Sequence, residues 1–490
     1  MKNIFYLSAL LCVASAIAAC DAAYMDGMYF PSMPEGIPVE SQPGDKYAEY
    51  ADNPFIDTKE QNVSTFSVDA DGGSYANAKR FVLDGYLPPA ESVRIEEFLN
   101  YFTFNYADPA DGNTVAINAE VGPCPWTPEH RLMRLGIKGK TIPESQLPDA
   151  NFVFLVDVSG SMDSNDRLGL LKTGLKMLVD HMRPTDRISI ITYSGTVKKL
   201  LESTPVKDAD KIKKAISKLD ASGSTAGGAA LEMAYKEVLE NYIQGGNNRV
   251  IMGTDGDFNV GVTDTDALVE MVQDYATQGI YLTVCGFGRG NLNDSMMESI
   301  SNHGNGTYEY IAFEEDLTKV FVNERSKFTS VANDAKIQVK FDSTKVEKYR
   351  LIGYENRILD NEDFENDEKD AGEIGAGQTI TALYEIVPVS EGSLDEGTLA
   401  VFDFRYKKTL DGAGIPLSLD VVPSDVLSFS PELSFAAGVA SFGMILRDSP
   451  YKGESTYDGA RKLAEAGLAF DPFGYRADFV KLIEAAAGLK

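Results

Sequence analysis

The sequence predicts an α/β protein. A doubly wound, mainly parallel, Rossmann-like sheet spans residues 150–325, with β-rich segments on both sides and a helical region at the carboxyl end. Two observations carry this. Between 150 and 325, short apolar runs alternate with amphipathic stretches, the pattern of strands joined by crossover helices. Outside it, runs such as "VAINAEVG" and "TITALYEIVPV" alternate apolar and polar residues, as half-buried strands do.

Within the central segment, "FVFLVD" reads as a strand. "RLGLLKTGLKMLVDHM" follows as a helix, with Leu168, Leu171, Leu175, Leu178 and Met182 at helical spacing. "RISIITYSG" is a strand, and its turn leads into "TVKKLLE", an antiparallel edge. "TAGGAALEMAYKEVLENYI" is a helix. "NRVIMGTDG", "IYLTVCGFG" and "TYEYIAF" are strands, with the helix "TDALVEMVQDYATQ" between the first two. Upstream, residues 66–149 hold two helices, "SYANAKRFVLDGYLPP" (ended by Pro88 and Pro89) and "RIEEFLNYF". Downstream, residues 326–490 hold the strands "AKIQVKFD", "TITALYEIVPV" and "LAVFDFRYK". The helices "LSFAAGVASFGMILRD", "YDGARKLAEAGLA" and "YRADFVKLIEAAA" follow. Each β-rich piece is small for a core of its own, so the two are expected to pair into one sheet domain with the α/β unit inserted.

The amino terminus reads as an address rather than fold. Lys2 and the apolar "IFYLSALLCVASAIAA" make residues 1–19 a signal peptide, too short and wrongly flanked for a spanning helix. "IAAC" resembles a bacterial lipobox, with Cys20 as the lipidated first mature residue. Ordinary cleavage after Ala19 is the alternative. Lipid on Cys20 would anchor the chain to a membrane of the bacterial cell envelope, inner or outer undecided. Residues 20–65 have the composition of a tether. Of the other cysteines, Cys12 leaves with the signal. An exported protein could bridge Cys124 and Cys285, but Cys285 reads as a small apolar residue in a buried strand, which favours unpaired thiols.

The chain has 74 acidic and 45 basic residues, a net charge of −29. Such a surface mainly serves solubility; it repels nucleic acid and anionic headgroups, which argues against both as partners of the folded part.

Three oxygen-rich turns lie where strands give way to loops or helices: "DVSGSM" (157–162), "GSTAGG" (223–228) and "TDGD" (254–257). In a doubly wound sheet the first and third share one rim, beyond the carboxyl ends of the strands, and the second can reach it. Ser159, Ser161 and Thr225 offer neutral oxygens. Asp157 and Asp255 offer charge, and Gly160 lets the first turn bend. An all-oxygen set suits a hard cation, Mg2+ or Mn2+, and the lack of thiolate and imidazole argues against zinc or copper.

These turns resemble the metal-ion-dependent adhesion site of von Willebrand factor type A domains: D-x-S-x-S, then T, then D. "VDADGGSYANAKRFVLDGYLPPAESVRIEEFLNYF", "TDGDFNVGV", "DAGEIGAGQTITALYEIVP" and "FAAGVASFGMILRDSPYKG" extend the resemblance to bacterial lipoprotein-type members with flanking regions on both sides. The resemblance implies that Ser159 and Ser161 bind metal directly, and Thr225 directly or through water. Asp157 and Asp255 would act mainly through water and hydrogen bonds to the serines. The sixth position would take an Asp or Glu of a protein partner.

Other signals are weaker. "DGDFNVGVTDTD" nearly fits an EF-hand loop, but Val260 stands where glycine is needed. "GFGRGN" places its third glycine too early for a dinucleotide fingerprint, so no dinucleotide is expected. "DNEDFENDEKD" reads as a solvated acidic loop. None of His130, His181 and His303 falls in the three turns, and no serine elbow or P-loop is present. The expected function is therefore metal-dependent protein binding rather than catalysis. The rivals are an envelope scaffold with a vestigial metal site and a metal-dependent hydrolase.

Overall fold

The run "ANFVFLVD" is apolar on both of its alternating faces, which suits a strand covered by helices on each side. The computed structural model places it there. It describes residues 44–110, 112–223, 227–256, 265–423 and 429–489. The amino-terminal segment contributes β1 (Ile56–Asp57), β2 (Val63–Ser67), α1 (Gly73–Leu83), α2 (Ile95–Asn100), β3 (Val115–Pro123) and β4 (Arg131–Gly139). The α/β unit holds strands β5 (Ala150–Asp157), β6 (Arg187–Tyr193), β7 (Val197–Pro205), β8 (Asn247–Thr254), β9 (Ile280–Phe287) and β10 (Tyr308–Ile311). Its helices are α3 (Leu170–His181), α4 (Ala209–Ser217), α5 (Gly227–Glu240), α6 (Thr265–Ala276), α7 (Asp294–His303) and α8 (Glu314–Thr318). The carboxyl-terminal segment adds β11 (Ser330–Phe341), β12 (Val346–Ile352), β13 (Gly372–Gly375), β14 (Thr379–Pro388), β15 (Ala400–Lys407) and β16 (Ile415–Val421). Helices α9 (Pro431–Leu446), α10 (Tyr457–Ala466) and α11 (Tyr475–Ala487) close it.

The central sheet has the order β10-β9-β8-β5-β6-β7. All its pairings are parallel except β6–β7, the expected antiparallel edge. Strand β5 sends Phe154 and Val156 into one core with Leu171 and Leu175 of α3. Val153 and Leu155 point to the other, with Leu231 of α5 and Val272 of α6. From β5 the chain steps outward to β6 and β7, then returns to β5's opposite edge as β8. The winding thus reverses between β5 and β8, whose carboxyl ends carry Asp157 and Thr254 in adjacent register.

The flanking β segments pair with each other. One antiparallel sheet has the order β1-β12-β14-β4-β3, and β4 of the amino-terminal segment lies against β14 of the carboxyl-terminal one from Arg131 to Lys138. In a second sheet, β13-β11-β15-β16, strand β2 pairs with β11. Residues such as Leu135, Ile337, Ile380 and Phe402 share one core built from both segments. Residues 44–65 thereby depart from the tether expected over 20–65. From Lys46 they hydrogen-bond to the folded part, and β1 and β2 sit in the two sheets. Their strands are too short to show a period in the sequence.

Helices α1, α2, α9 and α11 join the core on the α5–α7 face, where Phe479 meets Tyr75, Phe102, Phe435 and Phe442. A buried ion network seals this junction. Arg94 donates to Glu97 and, at 2.6 Å, to Asp294 of α7, while Arg357 pairs with Asp69 at 3.0 Å. Cys124 and Cys285 are buried and unpaired. Among the described residues no helix is long and apolar enough to cross a membrane.

Candidate metal site at the strand switch

Asp157 ends β5 fully buried. Its Oδ1 accepts the Ser159 backbone N–H at 2.8 Å, and its Oδ2 accepts the Thr254 hydroxyl at 3.1 Å. The first bond folds "DVSGSM" into a tight turn, and the second ties β5 to β8. Ser159, 2% exposed, has its Oγ 2.9 Å from that of Ser161. The spacing by two read in the sequence therefore brings both hydroxyls together.

The third turn is fixed by its glycine. Gly256 has φ +89°, and a Cβ there would lie 2.5 Å from the Asn293 nitrogen. Only glycine fits such a left-handed, crowded position. Its N–H donates to Thr254 Oγ1 at 3.1 Å. This turn holds Asp255 fully buried, its Oδ2 accepting from Arg167 Nη1 at 3.0 Å and Asn291 Nδ2 at 2.9 Å.

The second turn docks on the first. Ser222 N–H donates to the Val158 carbonyl at 2.7 Å, and Gly160 N–H to the Gly223 carbonyl at 3.0 Å. Thr225 follows two residues later and lies outside the described residues, as does Cys20; so do Asp257 and Val260 of the EF-hand-like run. Four of the five expected ligand residues thus occupy two loops at the switch point, and the third loop touches them.

Burial governs the electrostatics. It pushes the Asp157 carboxyl up to about 6, against the lowering hydrogen bonds from Ser159 and Thr254, and Asp255 adds to the rise. Burial raises the Tyr193 phenol well above its ordinary value, with Asp157 contributing. Two buried carboxylates and two adjacent hydroxyls are an oxygen-only donor set, so the residues present fit a hard divalent cation. Asp157, Ser159, Ser161 and Asp255 would hold it, and it would supply an electrophilic position for an outside oxygen.

Sequence reasoning missed Arg167, Asn291 and Thr254. "TDGD" contained Thr254 but gave no reason to assign it a role. "GFGRGN" reads as a turn, and its last residue is Asn291. Arg167 opens an amphipathic helix, where an arginine is unremarkable on periodicity alone.

This architecture and site define a von Willebrand factor type A domain protein. The profile "von Willebrand factor type A domain" matches residues 152–257, and "von Willebrand factor" matches residues 41–134. The profile "Uncharacterized protein YfbK, C-terminal" matches residues 326–489. YfbK of Escherichia coli K12 is 38% identical over 469 residues, spanning 91% of this chain and 81% of the relative. The chain therefore belongs to the YfbK family of von Willebrand factor type A proteins. Protein sll0103 of Synechocystis is 25% identical over 203 residues, 41% of this chain and 46% of that protein. The solved von Willebrand factor type A protein from Catenulispora acidiphila is 15% identical with a TM-score of 0.44, covering 78% of this chain and 92% of that one. A domain of this family suggests a protein-interaction or adhesion role.

Proposed function

We propose that this chain is a lipid-anchored protein of the bacterial cell envelope that binds an acidic residue of a protein partner through a divalent cation. The observation that carries the reading is the convergence of Asp157, Ser159, Ser161 and Asp255 at the switch point of the central sheet. Ser159 and Ser161 would give the cation neutral hydroxyl oxygens, with Asp157 and Asp255 acting mainly through water, so the ion stays able to accept a carboxylate. Lipid on Cys20, as the lipobox-like "IAAC" suggests, would tether the chain to a membrane surface.

Binding is favoured over hydrolysis because, among the described residues, no carboxylate or imidazole at the site is free to act as a base. Asp255 is committed to Arg167 and Asn291, and Asp157 to Ser159 and Thr254. The three histidines are engaged elsewhere: His130 with Glu385, His181 with the Met177 carbonyl and His303 with the Ser299 carbonyl. A general base within reach of a metal-bound oxygen is what a hydrolase requires.

The test is a crosslinking pull-down from envelope extract, with Mg2+ and with chelator, comparing wild type and Ser161→Ala. Partners captured only by the wild type with Mg2+ support the proposal. Capture that survives both chelator and substitution sinks it and favours a scaffold with a vestigial site.

A further inference from the structure

Arg167 lies in the short helical turn Asn165–Gly169 that leads into α3, its side chain 16% exposed. Its Nη1 donates to Asp255 Oδ2 at 3.0 Å and to the Ser161 carbonyl at 2.5 Å. Its Nη2 donates to the Arg289 carbonyl at 2.8 Å and to Asn291 Oδ1 at 2.9 Å. The side chain crosses Gly288, where φ is +86° and a Cβ would lie 2.3 Å from Nε. The guanidinium therefore bridges the turns after β5, β8 and β9, directly against one carboxylate of the cation site.

We propose that Arg167 sets the charge of the loaded site and so determines its preference for a carboxylate ligand, at some cost in cation affinity. The inference rests on the metal-site reading above. Asp157 and Asp255 carry two negative charges when ionised, and Arg167 returns one positive charge. Counting the described residues, a divalent cation then leaves the site at net +1, which a single carboxylate neutralises. Without Arg167 the loaded site is neutral, and the same carboxylate would leave one uncompensated negative charge. Both acids are fully buried and Ser159 nearly so, so water and salt screen these charges far less than at a surface. The guanidinium also repels the incoming cation, so its removal strengthens cation binding.

A clasp that merely holds the three loops predicts the reverse, and charge can be separated from geometry. Arg167→Gln removes the charge. Arg167→Lys keeps it but cannot reproduce the fork of four hydrogen bonds. Mn2+ affinity is measured by calorimetry on the folded chain. Acetate then probes the open position, read as a fall in water-proton relaxation enhancement from bound Mn2+. We expect R167Q to bind Mn2+ about tenfold tighter than wild type and to need about tenfold more acetate, with R167K close to wild type in both. Weaker Mn2+ binding by both variants, or an unchanged acetate requirement in R167Q, overturns the proposal. If R167Q does not fold, R167K decides alone: wild-type acetate affinity supports the charge account, and weakened affinity overturns it. A wild-type chain that binds no Mn2+ removes the metal-site reading and this proposal with it. Mn2+ binding with a wrong response to substitution removes only this one.

Discussion

Glu385, in β14 and 2% exposed, offers the sharpest test of how the two flanking segments hold each other. Its Oε2 accepts Trp126 Nε1 and Arg350 Nη2, both at 3.0 Å, and its Oε1 lies 2.6 Å from His130 Nδ1. Two of these groups belong to the amino-terminal segment, and Arg350 belongs to β12. Glu385→Ala would strand the guanidinium of Arg350, itself 1% exposed, without a counter-charge. Breaking a buried pair from one side costs about 3–5 kcal/mol. The orphaned Trp126 N–H would cost about 1–3 kcal/mol in isolation. These penalties overlap, because Arg350 keeps its contacts with the Tyr451 ring at 4.5 Å and Met444 Sδ at 3.7 Å. A total loss of about 3–5 kcal/mol is therefore expected.

Trp126 is the only tryptophan, so its fluorescence reports urea unfolding of this junction directly. The midpoint should fall with little change in slope. A loss below about 0.5 kcal/mol, the range of an ordinary surface substitution, would refute the reasoning. The pH dependence has a defined sign. Burial pushes the Glu385 carboxyl up, but His130, Trp126 and Arg350 together hold it below its ordinary value. A depressed folded value means stability fully present above the unfolded pKa of about 4.3 and lost as pH falls through the folded one. The gap between wild type and Glu385→Ala should close in that acid range.

Further outcomes follow from packing. Phe479→Ala removes the ring shared by Tyr75, Phe102, Phe435 and Phe442 and should cost about 3–5 kcal/mol in denaturant titrations. Gly306→Ala would put a Cβ 1.6 Å from the Leu282 carbonyl oxygen, so soluble yield should collapse; a well-expressed variant of wild-type Tm would contradict the placement of that turn. Cys124 and Cys285 should resist iodoacetamide in the native chain and react only in denaturant, as peptide mass spectrometry would show. Burial pushes the Cys124 thiol up to about 12 and raises that of Cys285 as well.

The α/β unit was legible because its strands are buried on both faces and its helices keep a strict period. Leu171, Leu175 and Leu178 of α3, which recur at helical spacing, all lie in one buried core. Helix α4 is not legible in the sequence: its buried face is only Ile212, Ala215 and Ile216 among four charged neighbours in "ADKIKKAIS". The strand pairing of the flanking segments was inferable from their size but not their register, which rests on long-range contacts such as Tyr384 with Ser64. In the site, residue type and spacing identified the oxygens. The cation beside them stayed hidden, because Arg167 reaches Asp255 and Asn291 across 88 and 124 residues, a proximity that only folding creates.

The most direct test of the central claim is an anomalous difference map from crystals of this chain soaked in Mn2+. The account predicts one strong peak at the switch point, bonded to the hydroxyls of Ser159 and Ser161, with Asp157 and Asp255 around it. A map with no density there under saturating Mn2+, or with its only peak elsewhere, would contradict it.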